Sequence, residues 1–501
     1  MVKELNAGQR REIGDSGATR LAIVKGGAAA AVVSPAMAAA RNATPVSVEK
    51  ARVTAGLEKY RTLGGWVERP DNPQPPLEGD VGADVVIVGA GYVGLNTALE
   101  LARLGMKVVV LEREFPGFGA SGRNAGYLAG AMGIEYELFL KRVGREKAKQ
   151  IVEYYEEGVR YVEGKLSEYG IDCDYYQTGL IRAGVHPSQE EKVRESMKVL
   201  GELGFQSEFL DDAGMRARGI PPAYLFGNYV SRGGTLDPGK YVMGLRRAAL
   251  EAGVKIYENT ALLSYTEGPI VKVHTAQGSA SAPFVVLATN AYTPQIGVLE
   301  DKVMPMRISA METEPLSPAQ LAALGWPRRE GIVTAHWTME SARLTARNSL
   351  LITTKRLHYV YGSKTPNVRD DDAYRELMVA LRDRFPALKD LSIRAFWSGY
   401  VSIAGDALPV VGETGAQQNI FYAAGCSGHG VGTQSLTGHL IAERIRGVEH
   451  PLLAALRHKT PSTLPEPLRW CFVNGLLGIT NMLDDKVNSK ARTADAGSAK
   501  R

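Results

Sequence analysis

Three glycines, Gly89, Gly91 and Gly94, are spaced as they are in a backbone turn that holds a pyrophosphate. The first suits the tight turn, the second leaves room for the phosphates because it has no Cβ, and the third lets a following helix pack against the preceding strand. The N–H groups at the start of that helix attract negative charge. Glu112, about 20 residues further on, is placed to accept hydrogen bonds from ribose hydroxyls. The set predicts an adenine dinucleotide site.

The elements that must position these residues lie on either side of them. A continuous apolar run follows Asp84 and covers 85–88, a helical run continues to Leu104, and a second apolar run follows Lys107 and covers 108–111. Apolar runs of this length are typical of parallel strands that are buried on both faces, so we predict an α/β fold. The alternative is a glycine-rich turn in another kind of α/β protein, which would not need Glu112.

The segment 118–127 indicates which dinucleotide is bound. It reads Phe-Gly-Ala-Ser-Gly-Arg-Asn-Ala-Gly-Tyr, a loop of small residues that suits close approach to a long, buried cofactor. An NAD enzyme usually continues directly into another helix and strand. The segment closely resembles the loop of the D-amino-acid oxidase-like flavoprotein superfamily, which includes glycine and sarcosine oxidases. Its Gly-Ala-Ser-Gly-Arg-Asn core looks most like the gamma-glutamylputrescine oxidase branch. In that superfamily the loop lies along the pyrophosphate and isoalloxazine of FAD.

Two later segments extend the resemblance, which covers about residues 80–450. The turn at 287–292 reads Leu-Ala-Thr-Asn-Ala-Tyr, and in this superfamily such a turn returns the chain to FAD. At 427–433, Ser-Gly-His-Gly-Val-Gly-Thr begins a helix whose N–H groups can stabilise negative charge on the reduced flavin, with His429 contributing its backbone. The motifs and the resemblance together imply contacts to FAD from Gly89, Gly91, Tyr92, Val93, Gly94, Glu112, Arg113, Gly119, Ala120, Ser121, Arg123, Asn124, Ala125, Gly126, Leu262, Ala288, Thr289, Asn290, Gly428, His429, Gly430, Val431, Gly432 and Thr433.

The resemblance also implies a reaction, the oxidation of a C–N bond in an amine or amino acid. In the family, the neutral amine gives a hydride equivalent to flavin N5, the imine product hydrolyses, and electrons pass to oxygen or to another acceptor. The FAD is expected to be bound without a covalent link. The family's attachment cysteine lies just before the final return to the FAD domain, and this chain has no cysteine between Cys173 and Cys426.

No acid–base residue is dictated by the sequence, and three side chains are candidates for contact with the substrate. Arg343 could hold a carboxylate through two hydrogen bonds, although an arginine on an exposed strand edge is an equal alternative. Tyr359 could line the pocket. His358 could act directly, although a histidine on such a strand is more often a structural residue. Ala342 and the pair Thr353–Thr354 depart from the family pattern where substrate would lie, so the substrate is expected to differ from that of the nearest relatives.

Three alternative functions remain open from the sequence. The protein could be a dehydrogenase that passes electrons to a quinone or a protein, a reading favoured by its leader and its apolar tail. It could be an NAD-dependent Rossmann enzyme, which would carry no yellow chromophore. It could also be a non-catalytic flavoprotein subunit, because substrate pockets can decay while the rest of the fold persists.

Composition excludes other classes of function. The net charge is +5, from 59 basic and 54 acidic residues, and no dense basic block occurs, so nucleic acid is not an expected partner. The 3 cysteines lack metal-ligand spacing, and no metal site is predicted. A length of 501 residues is typical of two domains, which we expect to be interleaved.

We predict a Rossmann-like FAD domain of the glutathione-reductase type, interleaved with an antiparallel-sheet substrate domain. Residues 59–79 are a proline-rich linker. The FAD domain is assigned to 80–130, 225–300 and 395–450, and the substrate domain to 131–224 and 301–394.

The two ends of the chain are predicted to stand outside this pair of domains. Residues 1–58 contain an Ala/Gly/Val run and a degenerate twin-arginine-like segment, which indicates an export signal or a disordered leader. The protein would be cytoplasmic, or periplasmic or membrane-associated if that signal works. The tail, 451–501, could form an amphipathic helix that lies on a membrane or one that packs on the protein itself. From Ser489 onward we expect disorder.

Overall fold

A computed structural model describes residues 2–4, 61–62, 65–67, 69–131, 136–388 and 391–498. The predicted leader lies outside these residues, apart from a short strand, Val2–Glu4. In the described part of the chain, no helix is long and apolar enough to cross a membrane. The predicted α/β class is confirmed: parallel and antiparallel sheets are combined with helices.

The first sheet, here called the nucleotide sheet, carries the predicted dinucleotide strand at its centre. Val85–Val88 is buried along its whole length and pairs in parallel with a strand on each side. Burial on both faces is what a continuous apolar run requires. Within the described residues the sheet has this strand order: Lys255–Tyr257, Val108–Leu111, Val85–Val88, Phe284–Leu287, Ile420–Ala424 and the antiparallel edge Val410–Thr414.

Four of the helices that contribute to the core built around this sheet lie close together, and glycines set the spacing between several of them. A Cβ added to Gly438 would lie 2.6 Å from the carbonyl oxygen of Val93, and one added to Gly158 would lie 2.8 Å from the carbonyl carbon of Gly432. Backbone therefore meets backbone between helices, and larger residues would force them apart. The helices are Tyr92–Ala102, Arg145–Glu168, Pro238–Glu251 and Gly430–Ile445.

The second sheet, here called the large sheet, lies over the dinucleotide loop. Its two longest strands, Val303–Thr313 and Ile393–Ala404, pair in an antiparallel register along most of their length. The helix Asp371–Arg384 shares a hydrophobic core with it. In the described part of the chain its strands run in the order Arg61–Thr62, Ile393–Ala404, Val303–Thr313, Leu350–Thr354, Glu340–Leu344, Gly331–Thr334, Leu180–Gly184, Phe226–Val230 and Glu208–Leu210, with His358–Tyr359 paired to Val303–Thr313.

Smaller elements complete the described fold. The remaining strands are Val2–Glu4, Ser264–Thr266, Val271–His274, Gly278–Ala282 and Gly79–Gly82, which form one sheet, and the pair Gly234–Thr235 with Tyr127–Leu128. The remaining α-helices are Tyr136–Val143, Glu190–Glu202, Asp212–Ala217, Pro318–Leu324, Pro451–Leu456 and Leu468–Ser498. Short 3-10 turns cover Ala120–Gly122, Pro187–Gln189, Asn290–Ile296, Tyr361–Ser363 and Pro386–Leu388.

The sheets divide the chain differently from the predicted boundaries. Phe226–Val230 and Ile393–Ala404 fall mainly in segments assigned to the FAD domain, but both are strands of the large sheet. The helix Arg145–Glu168 was assigned to the substrate domain, but it packs in the core of the nucleotide sheet. The reason is that a strand's own residues do not reveal its partner. The predicted disorder is also wrong for residues 489–498, because the last helix continues to Ser498 and Arg492 pairs with Asp383 at 2.7 Å. The last three residues lie outside the described part of the chain.

Candidate cofactor and active site

The glycine turn after Val85–Val88 leaves no room for side chains. Gly89 has a φ of +105°, and a Cβ there would lie 2.6 Å from the carbonyl oxygen of Ala288. A Cβ on Gly94 would lie 1.9 Å from the carbonyl oxygen of Gly89. The first contact brings the predicted residue Ala288 against the turn, and the second presses the helix Tyr92–Ala102 onto it. This is the close helix–strand packing that a pyrophosphate-binding turn needs.

Glu112 is fixed beside that turn. Its carboxylate accepts hydrogen bonds from the N–H of Ala90 at 2.8 Å and from the N–H of Glu114 at 3.0 Å. Burial raises the pKa of Glu112, while the two N–H groups act in the opposite direction. The acceptor therefore stands at the end of Val108–Leu111, where the sequence placed it. The next side chain, Arg113, lies with its guanidinium 4.6 Å from the ring centre of Tyr292.

The small-residue loop folds back over the start of the helix. The hydroxyl of Ser121 accepts a hydrogen bond from the N–H of Tyr92 at 3.0 Å, and the hydroxyl of Tyr92 donates to the carbonyl of Ser121 at 2.8 Å. Asn124 secures the loop, since its amide donates to the Ser121 carbonyl at 2.9 Å and its side-chain oxygen accepts from the N–H of Gly126 at 2.8 Å. The structure thus brings together the predicted loop residues and the predicted glycine turn.

Two buried arginines, Arg123 within this loop and Arg343 beside it, have no carboxylate partner among the described residues. Arg123 donates to the carbonyl of Ser398 at 3.1 Å, and its Nε and Nη2 have no partner in the described structure. Arg343 donates from Nε to the carbonyl of Ala125 at 2.6 Å, and its Nη2 has no partner there. Burial lowers the pKa of both guanidinium groups. Buried cations with unused N–H groups are suited to receive an anion.

Trp66 was missed by sequence reasoning, which placed it in a linker. Its indole N–H donates to the carbonyl of Asn124 at 2.7 Å, and its backbone N–H donates to the carbonyl of Gly122 at 2.8 Å. Its ring meets Trp397 edge-on at 5.3 Å, and the guanidinium of Arg343 lies 5.1 Å from its ring centre. The available signal was a tryptophan inside an otherwise polar, proline-rich stretch, because so large an apolar ring is seldom left in water.

The turn before Gly430–Ile445 is tied to the turn at Asn290. The hydroxyl of Ser402 donates to the side-chain oxygen of Asn290 and accepts from the N–H of Gly425 at 2.6 Å. Gly428 has a φ of +87°, and the ring of His429 packs edge-on against Tyr155 at 5.8 Å. Two segments that the sequence assigned to the cofactor therefore meet, and Ser402, which the sequence did not single out, joins them.

The start of that helix is held by its own polar residues and by a neighbouring helix. Thr433 donates its hydroxyl to the carbonyl of His429 at 2.7 Å, and the hydroxyl of Tyr154 donates to the carbonyl of Thr433 at 3.0 Å. Cys426, just before the turn, is buried, and burial raises the pKa of its thiol. A thiol in that state is inert, in agreement with its interpretation as a small buried residue.

The remaining candidates lie in different surroundings. Leu262 packs at the ends of the nucleotide strands with Val88 and Leu111. The structure does not bring Tyr359 and His358 to the loop. The hydroxyl of Tyr359 donates to Glu466 at 2.6 Å, and its side chain packs in a cluster with Val473 of the last helix. His358 is its neighbour on the same short strand.

The parallel sheet and the glycine turn define the class of protein, an α/β protein of the dinucleotide-binding type with a second sheet over the 118–127 loop. A family model described as FAD dependent oxidoreductase matches residues 84–444, and the chain belongs to this family. It is therefore an FAD-dependent oxidoreductase that acts on the C–N bond of an amine or amino acid. The residues present fit the cofactor, since the turn admits no side chain and Glu112 stands beside it.

Individual relatives agree with this assignment. The chain is 33% identical over 384 residues to gamma-glutamylputrescine oxidoreductase of Escherichia coli strain K12, which covers 75% of this chain and 86% of that protein. It is 23% identical over 375 residues to glycine oxidase of Bacillus licheniformis, covering 73% of this chain and 93% of that protein. The crystal structure of glycine oxidase from Geobacillus kaustophilus has the same fold, with a TM-score of 0.65 and 21% identity over 74% of this chain and 96% of that one.

Proposed function

We propose that the enzyme oxidises an amine that also carries a carboxylate, and that Arg343 holds this carboxylate. The observation that carries the proposal is the state of the Arg343 guanidinium. It is buried, it is fixed by a hydrogen bond from Nε to the carbonyl of Ala125, and its Nη2 has no partner among the described residues. A carboxylate bound there would receive charge-assisted hydrogen bonds in a site that excludes water. Relatives named for glycine and for gamma-glutamylputrescine are consistent with an amine substrate.

In this proposal the protein orients the substrate and shields it from water. Trp66 and Trp397 stand edge to face at 5.3 Å beside Arg343, so the bound carboxylate would lie against an apolar wall. FAD, when bound, supplies the acceptor for the hydride equivalent that leaves the substrate carbon. The N–H groups at the start of Gly430–Ile445 would stabilise negative charge on the cofactor. We also propose that FAD contacts the glycine turn, Glu112 and the 119–126 loop.

Oxygen is the electron acceptor that we propose first, because it fits the relatives named oxidases. The second candidate is an acceptor at a membrane surface, such as a quinone. The observation that favours it is the apolar outer face of the last helix, Leu468–Ser498, on which Phe472 and Ile479 are exposed. Release of hydrogen peroxide in step with imine formation supports the first candidate. Turnover that requires an added quinone supports the second.

A comparison of paired substrates tests the proposed substrate class. Each pair consists of an amino acid and its amide, which have almost the same size and differ in the carboxylate. We expect kcat/KM to be at least about tenfold higher for the acid of the best pair, since a lost charged hydrogen bond is worth about 1.5–3 kcal/mol. Equal kcat/KM values for acid and amide throughout the panel would contradict the role of Arg343, while leaving C–N oxidation itself intact.

A further inference from the structure

Two carboxylates attach the last helix, Leu468–Ser498, to the rest of the protein. Asp484 accepts hydrogen bonds from the backbone N–H groups of Trp337 at 2.9 Å and Thr338 at 2.8 Å. Arg356 binds Asp485 at 2.9 Å. These contacts fix the rotation of the helix about its own axis, so the side that faces away from the protein is determined by the fold.

The outward side of this helix is apolar. Apart from Trp470, which is exposed on another side of the helix, its exposed large side chains recur every three or four residues, and this places them on one stripe. An apolar stripe normally packs against the protein's own core. Here the inner side already packs apolar side chains such as Val473 and also carries the buried Asp484, so the apolar side chains on the outer side form a second stripe that the protein does not cover. The stripe, here called the outer stripe, consists of Leu468, Phe472, Leu476, Ile479, Met482 and Leu483.

Charge at the end of the outer stripe distinguishes between possible occupants. Lys486 and Lys490 continue the same side of the helix, and both are exposed. No aspartate or glutamate lies on that side among the helix residues whose side chains the structure describes. A second copy of the chain seated on the stripe would bring lysines into an apolar contact without carboxylates to meet them. An anionic lipid surface offers both a hydrocarbon layer for the stripe and phosphates for the lysines.

We infer that the outer stripe, together with Lys486 and Lys490, docks the enzyme on the surface of a bilayer that contains anionic phospholipid. The helix would lie in the plane of the interface with its apolar side chains inserted at the level of the headgroups. Tyr361 and Leu464 add exposed apolar surface near the start of the helix, where the N–H of Gly362 donates to Glu466 at 3.1 Å. This inference concerns binding, and it does not depend on which substrate or acceptor the enzyme uses.

Vesicle flotation of the full-length, flavin-loaded protein tests the inference. Vesicles of phosphatidylcholine alone are compared with vesicles that also contain phosphatidylglycerol. We expect the protein to float with the anionic vesicles, to bind the neutral ones less, and to be released by salt, since screening weakens the lysine contacts. Absence of flotation with either kind of vesicle would overturn the inference.

Matched substitutions locate the contact. Ile479 and Ile270 are 54% and 55% exposed, and Ile270 lies away from the helix at the edge of a strand, Val271–His274. We expect Ile479→Asp to reduce vesicle binding at least about tenfold. The substitution removes hydrocarbon that would be buried in the bilayer and places a negative charge there. Ile270→Asp should leave binding unchanged. An equal effect of both substitutions would overturn the inference. The inference would also be overturned if the parent protein formed a dimer, bound no vesicles, and lost the dimer on Ile479→Asp substitution. The outer stripe would then join two copies of the chain.

A measurement on the unaltered chain avoids any effect of substitution on folding. Of the 3 cysteines, Cys173 and Cys426 are buried and Cys471 is exposed, near the start of the last helix. An environment-sensitive fluorophore on Cys471 should shift to shorter wavelength when anionic vesicles are added, and the shift should reverse in high salt. An unchanged spectrum, with flavin absorbance showing that the protein is intact, would count against the stripe as the docking surface.

Discussion

Single glycines determine whether the cofactor turn can form. Gly94 is the tightest of them, because a Cβ there would lie 1.9 Å from the carbonyl oxygen of Gly89, which cannot move without the whole turn. We expect Gly94→Ala to weaken FAD binding by about 5-fold to about 150-fold, since overpacking of this kind costs about 1–3 kcal/mol. The FAD content of the purified protein and a titration of the apoprotein measure the effect.

Gly164→Ala is the matched control for that prediction. Gly164 lies in the helix Arg145–Glu168, and an added Cβ would meet nothing within 4 Å. Alanine should therefore keep full FAD binding and raise helix stability by up to about 1 kcal/mol. If Gly94→Ala bound FAD as well as Gly164→Ala does, the turn would not be the pyrophosphate site.

Arg343 is the residue on which substrate binding depends in our proposal. Arg343→Met keeps most of the side-chain volume and removes the charge, so we expect KM for the carboxylate-bearing substrate to rise by at least about tenfold, with kcat changed much less. Steady-state kinetics measure both constants. Arg347→Met is the control, since Arg347 is bound to Glu312 at 2.8 Å and lies nearer the surface. A fall in kcat with an unchanged KM would indicate that Arg343 does not hold the substrate.

Site residues that belong to a local motif were predictable from the sequence. Site residues whose role depends on a hydrogen-bond partner far away in the chain were not. Gly94 and Glu112 follow from spacing, because Gly94 packs on Gly89 and Glu112 accepts from Ala90 within the same strand–helix–strand unit. Trp66 and Ser402 act on Asn124 and on Asn290, which are distant in sequence. Nothing in a local pattern specifies such contacts. For Tyr359 the strand was predicted correctly, but the proposed place in the substrate pocket was not, because its hydroxyl donates to Glu466.

At the scale of elements, the helices behind the cofactor turn act as one packed unit. The hydroxyl of Thr97 donates to the carbonyl of Gly438 at 2.9 Å, and a Cβ on Gly438 would lie 2.6 Å from the carbonyl oxygen of Val93. We expect Gly438→Ala to lower the free energy of unfolding by about 1–3 kcal/mol and to weaken FAD binding, because Tyr92–Ala102 must shift. Urea denaturation and FAD titration measure the two effects.

Gly201→Ala serves as its control, since Gly201 lies in a helix, Glu190–Glu202, where an added Cβ would meet nothing within 4 Å. It should be neutral or slightly stabilising. If Gly438→Ala lost stability but kept its FAD affinity, the contact between the two helices would not influence the shape of the glycine turn.

A buried charged cluster lies beneath the last helix. Although burial opposes ionisation, Arg384 and Lys355 hold the pKa of Glu340 well below its usual range. Nearby, burial lowers the pKa of His336 from 6.5 to about 4, while Glu340 opposes that shift and Arg384 and Lys355 add to it. His336 is therefore neutral in the folded protein at neutral pH. Its Nδ1 lies 2.8 Å from the hydroxyl of Thr334.

This cluster predicts a dependence of stability on pH. Because the pKa of His336 is lower in the folded state, its unfolded form binds a proton first as the pH falls, and stability is lost between the unfolded and folded values. Between about pH 7 and about pH 5 this histidine should account for a loss of about 2 kcal/mol. Urea denaturation at both pH values should show that loss in the parent and a smaller one in His336→Gln. Equal losses would show that His336 does not titrate in this range.

Strand positions were largely predictable from the sequence, but strand partners were not. The apolar run at 85–88 and the glycine turn after it specify a buried parallel strand by local pattern alone. Phe226–Val230 and most of Ile393–Ala404 fall in segments assigned to the FAD domain, but both pair in the large sheet, because sheet membership depends on long-range pairing. The end of the last helix was missed for a similar reason. Its polar residues are ordered by Asp383 and Arg384, which lie more than a hundred residues earlier in the chain.

At the scale of the whole molecule, the two sheets meet at the dinucleotide loop. Arg343, a residue of the large sheet, donates to the carbonyl of Ala125, and Trp397 of the same sheet donates to the carbonyl of Arg123 at 3.0 Å. The loop is thus held between the nucleotide sheet and the large sheet, which carries Arg343. Sequence could predict that two domains are interleaved here. The particular contacts between them arise only when the chain is folded.

The central claim is that this molecule binds FAD and uses it to oxidise a C–N bond. The most direct test is an anaerobic titration of the flavin-loaded protein with a panel of amines and amino acids, followed by absorbance and then by admission of air. We expect at least one carboxylate-bearing amine to bleach the flavin spectrum, and an imine-derived carbonyl product to appear. Return of the spectrum in air would identify oxygen as the acceptor. A protein that takes up no FAD, or a bound flavin that no amine reduces, would contradict the account.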